Sequence, residues 1–197
     1  MLWAFVVVWV MSSVGSYGLQ AWVPTVVKEV TRIGIGSVGL LSAIPYLLAI
    51  VLLFTVGYAS DRMRRRDWFI LVGFVLAGLA ILIGPNLPGA VPKLVVIFLG
   101  AGCNAAITGI IIAWMEDLTP RAHVGIAIGV IQLFGQMAGI AAPLAVGLVA
   151  GTRPAVTALW IIGVGLFIGA AMTALIYVGA RNRARRTGTV APAAQVQ

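Results

Sequence analysis

Long apolar runs alternate with short polar breaks six times along this chain. A helix needs about 20 apolar residues to cross the roughly 30 Å hydrocarbon core of a bilayer. The pattern predicts spans at about 2–27, 38–59, 68–83, 94–115, 124–150 and 156–179, the third extending slightly further. Turn residues mark the breaks: GPNLPGAVPK follows the third run and GTRPA the fifth. Residues 1–180 form one six-span unit on this reading. Residues 181–197 form a basic cytoplasmic tail, expected to be disordered.

Composition removes the soluble alternative. Of 197 residues, 61% are hydrophobic and 9% charged, and mean hydropathy is +1.10. Soluble domains carry roughly 25% charged residues. A soluble fold of this size could not hide so much apolar surface. The expected class is an all-α polytopic membrane protein. The single cysteine, Cys103, excludes an intrachain disulfide. One histidine and no cysteine pair leave no metal site. The first run has no basic residue before it and is too long for a secretory signal.

The net charge of +8 does not point to nucleic acid, because the arginines sit at the ends of apolar runs. With six spans, both termini share one side. That side holds Arg62, Arg64, Arg65, Arg66, Arg121, Arg181, Arg183, Arg185 and Arg186; the other holds Lys28, Arg32, Lys93 and Arg153. Short cytoplasmic loops concentrate Lys and Arg, so both termini are expected in the cytoplasm and the chain in the plasma membrane. The RNRARR segment suits contact with anionic lipid.

The stretch GYASDRMRRRD, residues 57–67, carries six of the eighteen charged residues. A charge at the bilayer centre costs about 2.5–3.5 kcal/mol, so charge belongs in such a turn. That does not account for the order Gly57-x-x-x-Asp61-Arg62-x-x-Arg65-Arg66. This order resembles the cytoplasmic signature loop of the major facilitator superfamily, between the second and third helices of a six-helix half. Arg64 departs from the pattern, which commonly has Gly or a small residue there. SYGLQAWVPTVVKE (16–29), GLLSAIPYLLAI (39–50) and WMEDLTPRAHVGIAIGVIQLFGQMAGIAAPLAVG (114–147) resemble the seventh, eighth and tenth-to-eleventh helices of its anion:cation symporter family. There Asn is usual at Gln136, and Ser or Asn near Gln132.

The resemblance extends to about Arg186 and matches only a C-terminal half. It implies half of a major facilitator fold, built from two inverted three-helix repeats. It implies transport of small organic anions, such as sugar acids or aromatic carboxylates, often with protons, and no cofactor. The loop would latch two halves in one state of the cycle, with Gly57 allowing close helix approach and Asp61 and Arg65 as latch residues. Asp61 lies where a helix C-terminus disfavours a carboxylate, so it needs a partner: Arg62, Arg65 or a helix N-terminus. Topology and solvation alone are the other account of the loop.

Polar residues at membrane depth face a cavity or another helix. On the first helix Tyr17 and Gln20 share a face with Ser13, and Ser16 pairs with Gln20 on an adjacent line. Asn104 and Thr108 on the fourth, and Gln132 and Gln136 on the fifth, are i, i+4 pairs. Tyr46 follows Pro45 on the second. The resemblance makes the first and fourth helices cavity-lining. The same residues also serve as interhelical glue, worth roughly 0.6 kcal/mol each. Gln20, Asn104 and Gln136 are the strongest cavity candidates. Gly135-x-x-x-Gly139 and Gly147-x-x-x-Gly151 have the spacing of close helix packing. Thr119 suits a cap for a helix starting at Pro120. Glu116, Asp117 and His123 form a solvated or salt-bridged turn.

No Asp, Glu, Lys or Arg falls mid-span, so the chain is expected to need an N-terminal half that supplies charge. A homodimeric six-span transporter and a non-functional remnant of a broken gene are the alternatives. A membrane enzyme needs a nucleophile or carboxylate pair at membrane depth, and none is present.

Overall fold

The computed structural model describes residues 2–31, 35–151 and 159–187. Among them lie α1 (Leu2–Thr31), α2 (Ile35–Met63), α3 (Arg66–Ile83), α4 (Ala90–Leu118), α5 (Val124–Ala150) and α6 (Trp160–Thr187). All six are long and apolar enough to cross a membrane. No strand occurs among the described residues. Hydrocarbon demands this, because only helices satisfy every backbone N–H and C=O within one segment.

Several boundaries lie beyond the apolar runs. α1 continues past residue 27 to Thr31, and α2 past 59 to Met63. α4 starts at Ala90, because Pro92 falls in its first turn, where the missing N–H costs nothing. α6 continues to Thr187, so residues 181–187 are helical where the sequence suggested disorder. Arg and Ala are strong helix formers, and no Gly or Pro interrupts 180–187. The remainder of the tail, Arg32, Arg153 and the expected start of the sixth span at 156 lie outside the described residues. Thr119 also differs: it closes α4 instead of opening the next helix. Its hydroxyl donates to the Met115 carbonyl at 2.7 Å and its N–H to Glu116 O, the common back-bond of a helical threonine.

The packing repeats itself. α1 packs on α5, and α4 on α2; α3 packs on α4, and α6 on α1. α1 also meets α4, and α3 meets α6. Exchanging α1 with α4, α2 with α5 and α3 with α6 maps the first four interfaces onto one another in pairs and the last two onto themselves. The exchanged helices run in opposite directions, so the bundle consists of two inverted three-helix repeats. Half of each of the α1 and α4 spans is buried, against 17% of α2 and 22% of α5. α2 and α5 are therefore the open flanks. They show Leu40, Leu47, Val51 and Phe54 on one side and Ile126, Leu133, Ile140 and Leu144 on the other.

Without a hydrophobic force between helices in lipid, close packing must hold the bundle. α5 presents Gly135, Gly139 and Gly147 to α1, whose Trp9, Tyr17 and Trp22 fill the resulting notches. A Cβ on Gly135 would run into the Trp9 indole and lie 2.9 Å from Ser13 Oγ. Trp22 Nε1 also donates to the Pro143 carbonyl at 3.1 Å. So the Gly135–Gly139 pair is used, whereas Gly151 meets only its own helix. α3 and α6 cross at Gly78 and Gly163, where a Cβ on either would come within 3.5 Å of the other's carbonyl. Gly57 is different: nothing lies within 4 Å of its Cβ position. The close approach expected there does not occur within this bundle, because the C-terminal end of α2 stands free on that side.

Gly135→Val is expected to destabilise the protein by about 1–3 kcal/mol, the usual cost of overpacking. Gly57→Ala is expected to leave stability unchanged. Thermal unfolding in detergent checks both; equal midpoints for the two variants would contradict the packing.

Candidate functional site

The sequence placed seven polar residues at membrane depth, and the fold separates them into three groups. The first is the seam between α1 and α4, at the middle of both helices. Asn104 is 1% exposed. Its amide donates to the Ser12 carbonyl at 3.1 Å and to Ser16 Oγ at 2.9 Å. Thr108 donates to the Asn104 carbonyl at 3.1 Å, and its hydroxyl lies 3.5 Å from that of Ser12. Gly15 gives the amide room, since a Cβ there would sit 2.9 Å from Asn104 Nδ2. Asn104 is thus interhelical glue and not an open cavity wall. The amide is large enough to reach α1 and is held there by two hydrogen bonds. Its Oδ1 is buried without a partner among the described residues.

The second group lines a pocket of about 70 Å³ between α1, α2 and α4. Ser16, Gln20 and Tyr46 bring the polar atoms, and Leu19, Val23, Pro45 and three alanines form the walls. α1 places Ser16 and Gln20 on one line by their i, i+4 spacing. Gln20 and Tyr46 are exposed, Tyr46 by 49%. Ser16 belongs to the pocket and to the seam at once, which links the two.

The third group lies across α1 and α5. Tyr17 donates to Gln136 Oε1 at 3.0 Å, above the notch at Gly139. Gln136 is exposed, and Gln132, one turn away, is half-buried. The chemistry of all three groups is neutral hydrogen bonding: carboxamides, phenols and hydroxyls, with no charge.

The charged loop lies at the helix ends. Asp61 is held by Arg66 at 3.1 Å, not by Arg62 or Arg65. Arg66 also pairs with Asp117 of α4 at 2.9 Å. Asp61 and Asp117 each sit at a helix C-terminus and Arg66 at a helix N-terminus, all three disfavoured by the macrodipoles. Pairing offsets those penalties. Both carboxylates are mostly exposed, so each bridge is worth only about 0–1 kcal/mol. Arg62 turns back to the Tyr58 hydroxyl at 3.3 Å. The Arg65 carbonyl accepts from Trp68 N and Phe69 N to start α3. Arg64 has φ +50°, the left-handed region that glycine enters freely. Its departure from the signature pattern therefore falls at the one strained position of the turn.

Asp117 was read from sequence as part of a salt-bridged turn, but not as the partner of Arg66. No local spacing joins residues 51 positions apart; only the shared side of the membrane hinted at it. A larger apolar hollow of about 310 Å³ lies at this same end, between the start of α1 and the 4–5 turn. It is lined by residues such as Phe5, Met115 and Ile126.

Six helices long and apolar enough to span a membrane, arranged as two inverted repeats, form an architecture found in transporter folds. The chain belongs to the Major Facilitator Superfamily, whose family model matches residues 3–195. It is similar to a quinolone resistance transporter of Acinetobacter baumannii, 26% identical over 88% of this chain and 40% of that protein. It is also similar to sialin of Ovis aries, 32% identical over 73% of this chain and 31% of sialin. A 65-residue stretch is 35% identical to the putative metabolite transport protein NicT of Pseudomonas putida, covering 33% of this chain and 15% of NicT. The chain spans less than half the length of these curated relatives.

On a Cys103→Ser background, Gln20→Cys and Gln136→Cys are expected to react with a water-soluble thiol reagent. Asn104→Cys is expected to resist it. Labelling followed by mass spectrometry checks this, and fast labelling at position 104 would contradict the buried seam.

Proposed function

We propose that the chain acts as the C-terminal half of a secondary active transporter for small organic anions, working by alternating access with a second six-helix half. Sugar acids and aromatic carboxylates are the substrate classes, and protons the coupling ion. The observation that carries this reading is the exposure of Gln20 on the central α1 and of Gln136 on α5. A carboxamide facing hydrocarbon costs several kcal/mol, so that face belongs on a water-filled cavity. The exposed faces of α2 and α5 would receive the other half. That half would supply the cation for a carboxylate, since none lies mid-span here.

The Asp61–Arg66–Asp117 cluster is the latch of this reading. It ties the α2–α3 turn to the end of α4 with weak, exposed bridges, which suits a contact that must break and reform each cycle. Gly57 leaves a free surface beside it for the partner half. Both termini lie in the cytoplasm, and the membrane is the plasma membrane, following the arginine distribution.

Uptake in proteoliposomes tests the reading. The chain is reconstituted with a six-helix N-terminal half of a major facilitator transporter, and labelled gluconate and benzoate are offered under an inward proton gradient. Uptake is expected with both halves together and absent with either alone. Asp61→Asn is expected to cut uptake several-fold while leaving membrane insertion intact. Unchanged uptake in that variant would remove the latch, and full uptake by the chain alone would favour two copies over two halves.

A further inference from the structure

The apolar hollow at the helix ends takes no part in the transport reading. Three helices each give it one face. Leu2 and Phe5 stand three residues apart on α1. Met115, Leu118 and Thr119 share a face of α4, and His123, Ile126 and Ala127 share one at the start of α5, by their i, i+3 and i+4 spacing. Pro120 closes the rim between the last two groups. Phe5 and Met115 are buried, whereas His123 and Ile126 are exposed and mark the mouth. The volume of about 310 Å³ falls within the range of roughly 300–1,000 Å³ typical of small-molecule sites. None of the lining residues belongs to the three polar groups at mid-depth.

Water fits this space poorly. A buried water needs about two to four polar partners, and the lining offers two polar side chains, Thr119 and His123. The Thr119 proton is already committed to the Met115 carbonyl. The His123 backbone N–H donates to the Pro120 carbonyl at 2.8 Å, but its ring has no partner among the described residues. The charge around the mouth favours an anion. Asp117 lies across α4 from the lining face and is paired with Arg66 at 2.9 Å. Glu116 stands at the side of that face, exposed. Arg121, also exposed, precedes His123 by two residues on the rim.

We propose that this hollow binds an apolar monocarboxylate, with its tail against Phe5 and Met115 and its carboxylate accepting from the His123 ring. Arg121 adds positive charge at the same rim. A bound molecule bridges the start of α1 to the 4–5 turn. The site goes beyond the transport reading, since it requires neither a second half nor the mid-depth cavity. Its apolar walls distinguish its ligand from a sugar acid, which has no tail to bury.

Octanoate carrying a diazirine at its methyl end is the probe, with the full chain in phosphatidylcholine nanodiscs. Photolysis and peptide mass spectrometry are expected to place the label within residues 2–5, 115–119 and 126–127. Unlabelled octanoate is expected to compete at about tenfold lower concentration than 1-octanol, as one charge-assisted hydrogen bond would give. His123→Leu is expected to abolish that preference and His123→Arg to keep it; the position is exposed, so neither variant disturbs the core. Ala127→Leu, which fills the hollow from α5, is expected to remove the label. Label spread over exposed residues of α2 and α5, such as Leu40 and Leu144, would overturn the proposal, as would equal competition by 1-octanol. Displacement of the label by an added N-terminal six-helix half would also overturn it, by making that half the occupant. Specific labelling alongside failed two-half uptake would sink the transport reading and leave this site standing.

Discussion

One buried amide sets how the centre of this bundle is built. Hydrocarbon offers no water, so a carboxamide at mid-depth must find its partners in protein. Asn104 finds them on α1, at the Ser12 carbonyl and the Ser16 hydroxyl. This ties α1 to α4, the first helix of one repeat to the first helix of the other. α5 then fits onto α1 and α2 onto α4, and α3 and α6 close the far side. Packing without a hydrophobic force relies on such register, because apolar side chains alone would slide in lipid.

Glycine and aromatic residues turn that register into a close fit. Trp9, Tyr17 and Trp22 enter notches left by Gly135, Gly139 and Gly147. Two of the three aromatics also place a polar atom across the interface, Tyr17 to Gln136 and Trp22 to Pro143. The α1–α5 contact is therefore specific at several levels along its length. By contrast, the charged turn between α2 and α3 is held by exposed bridges around Arg66. The centre is tightly held, and the edge that carries this turn is loosely held.

The architecture could be read from the sequence because apolar length and arginine placement are direct consequences of the bilayer. Helix count and span centres need nothing else. Span ends were less legible, since strong helix formers such as Arg181 and Arg183 extend a helix beyond hydrocarbon at no cost in the pattern. The site was read in part. Gln20 and Tyr46 meet in one pocket, and Tyr17 meets Gln136, each pairing one residue of central α1 with one of a flanking helix. Asn104 belonged to the seam because its partners are a backbone carbonyl and a serine, which no spacing rule distinguishes from a cavity. The ion pair from Arg66 to Asp117 was hidden by its sequence separation, and the empty space around Gly57 by the frequency of glycine here.

The inverted relation of the repeats constrains whatever covers the open side. α2 and α5 occupy equivalent places but point in opposite directions. A single helix, or a sheet of parallel helices, would match the polarity of one flank and oppose that of the other. A body that carries its own antiparallel pair meets both on the same terms. On the reading proposed above, a counterpart built on the same rule would meet the two flanks alike.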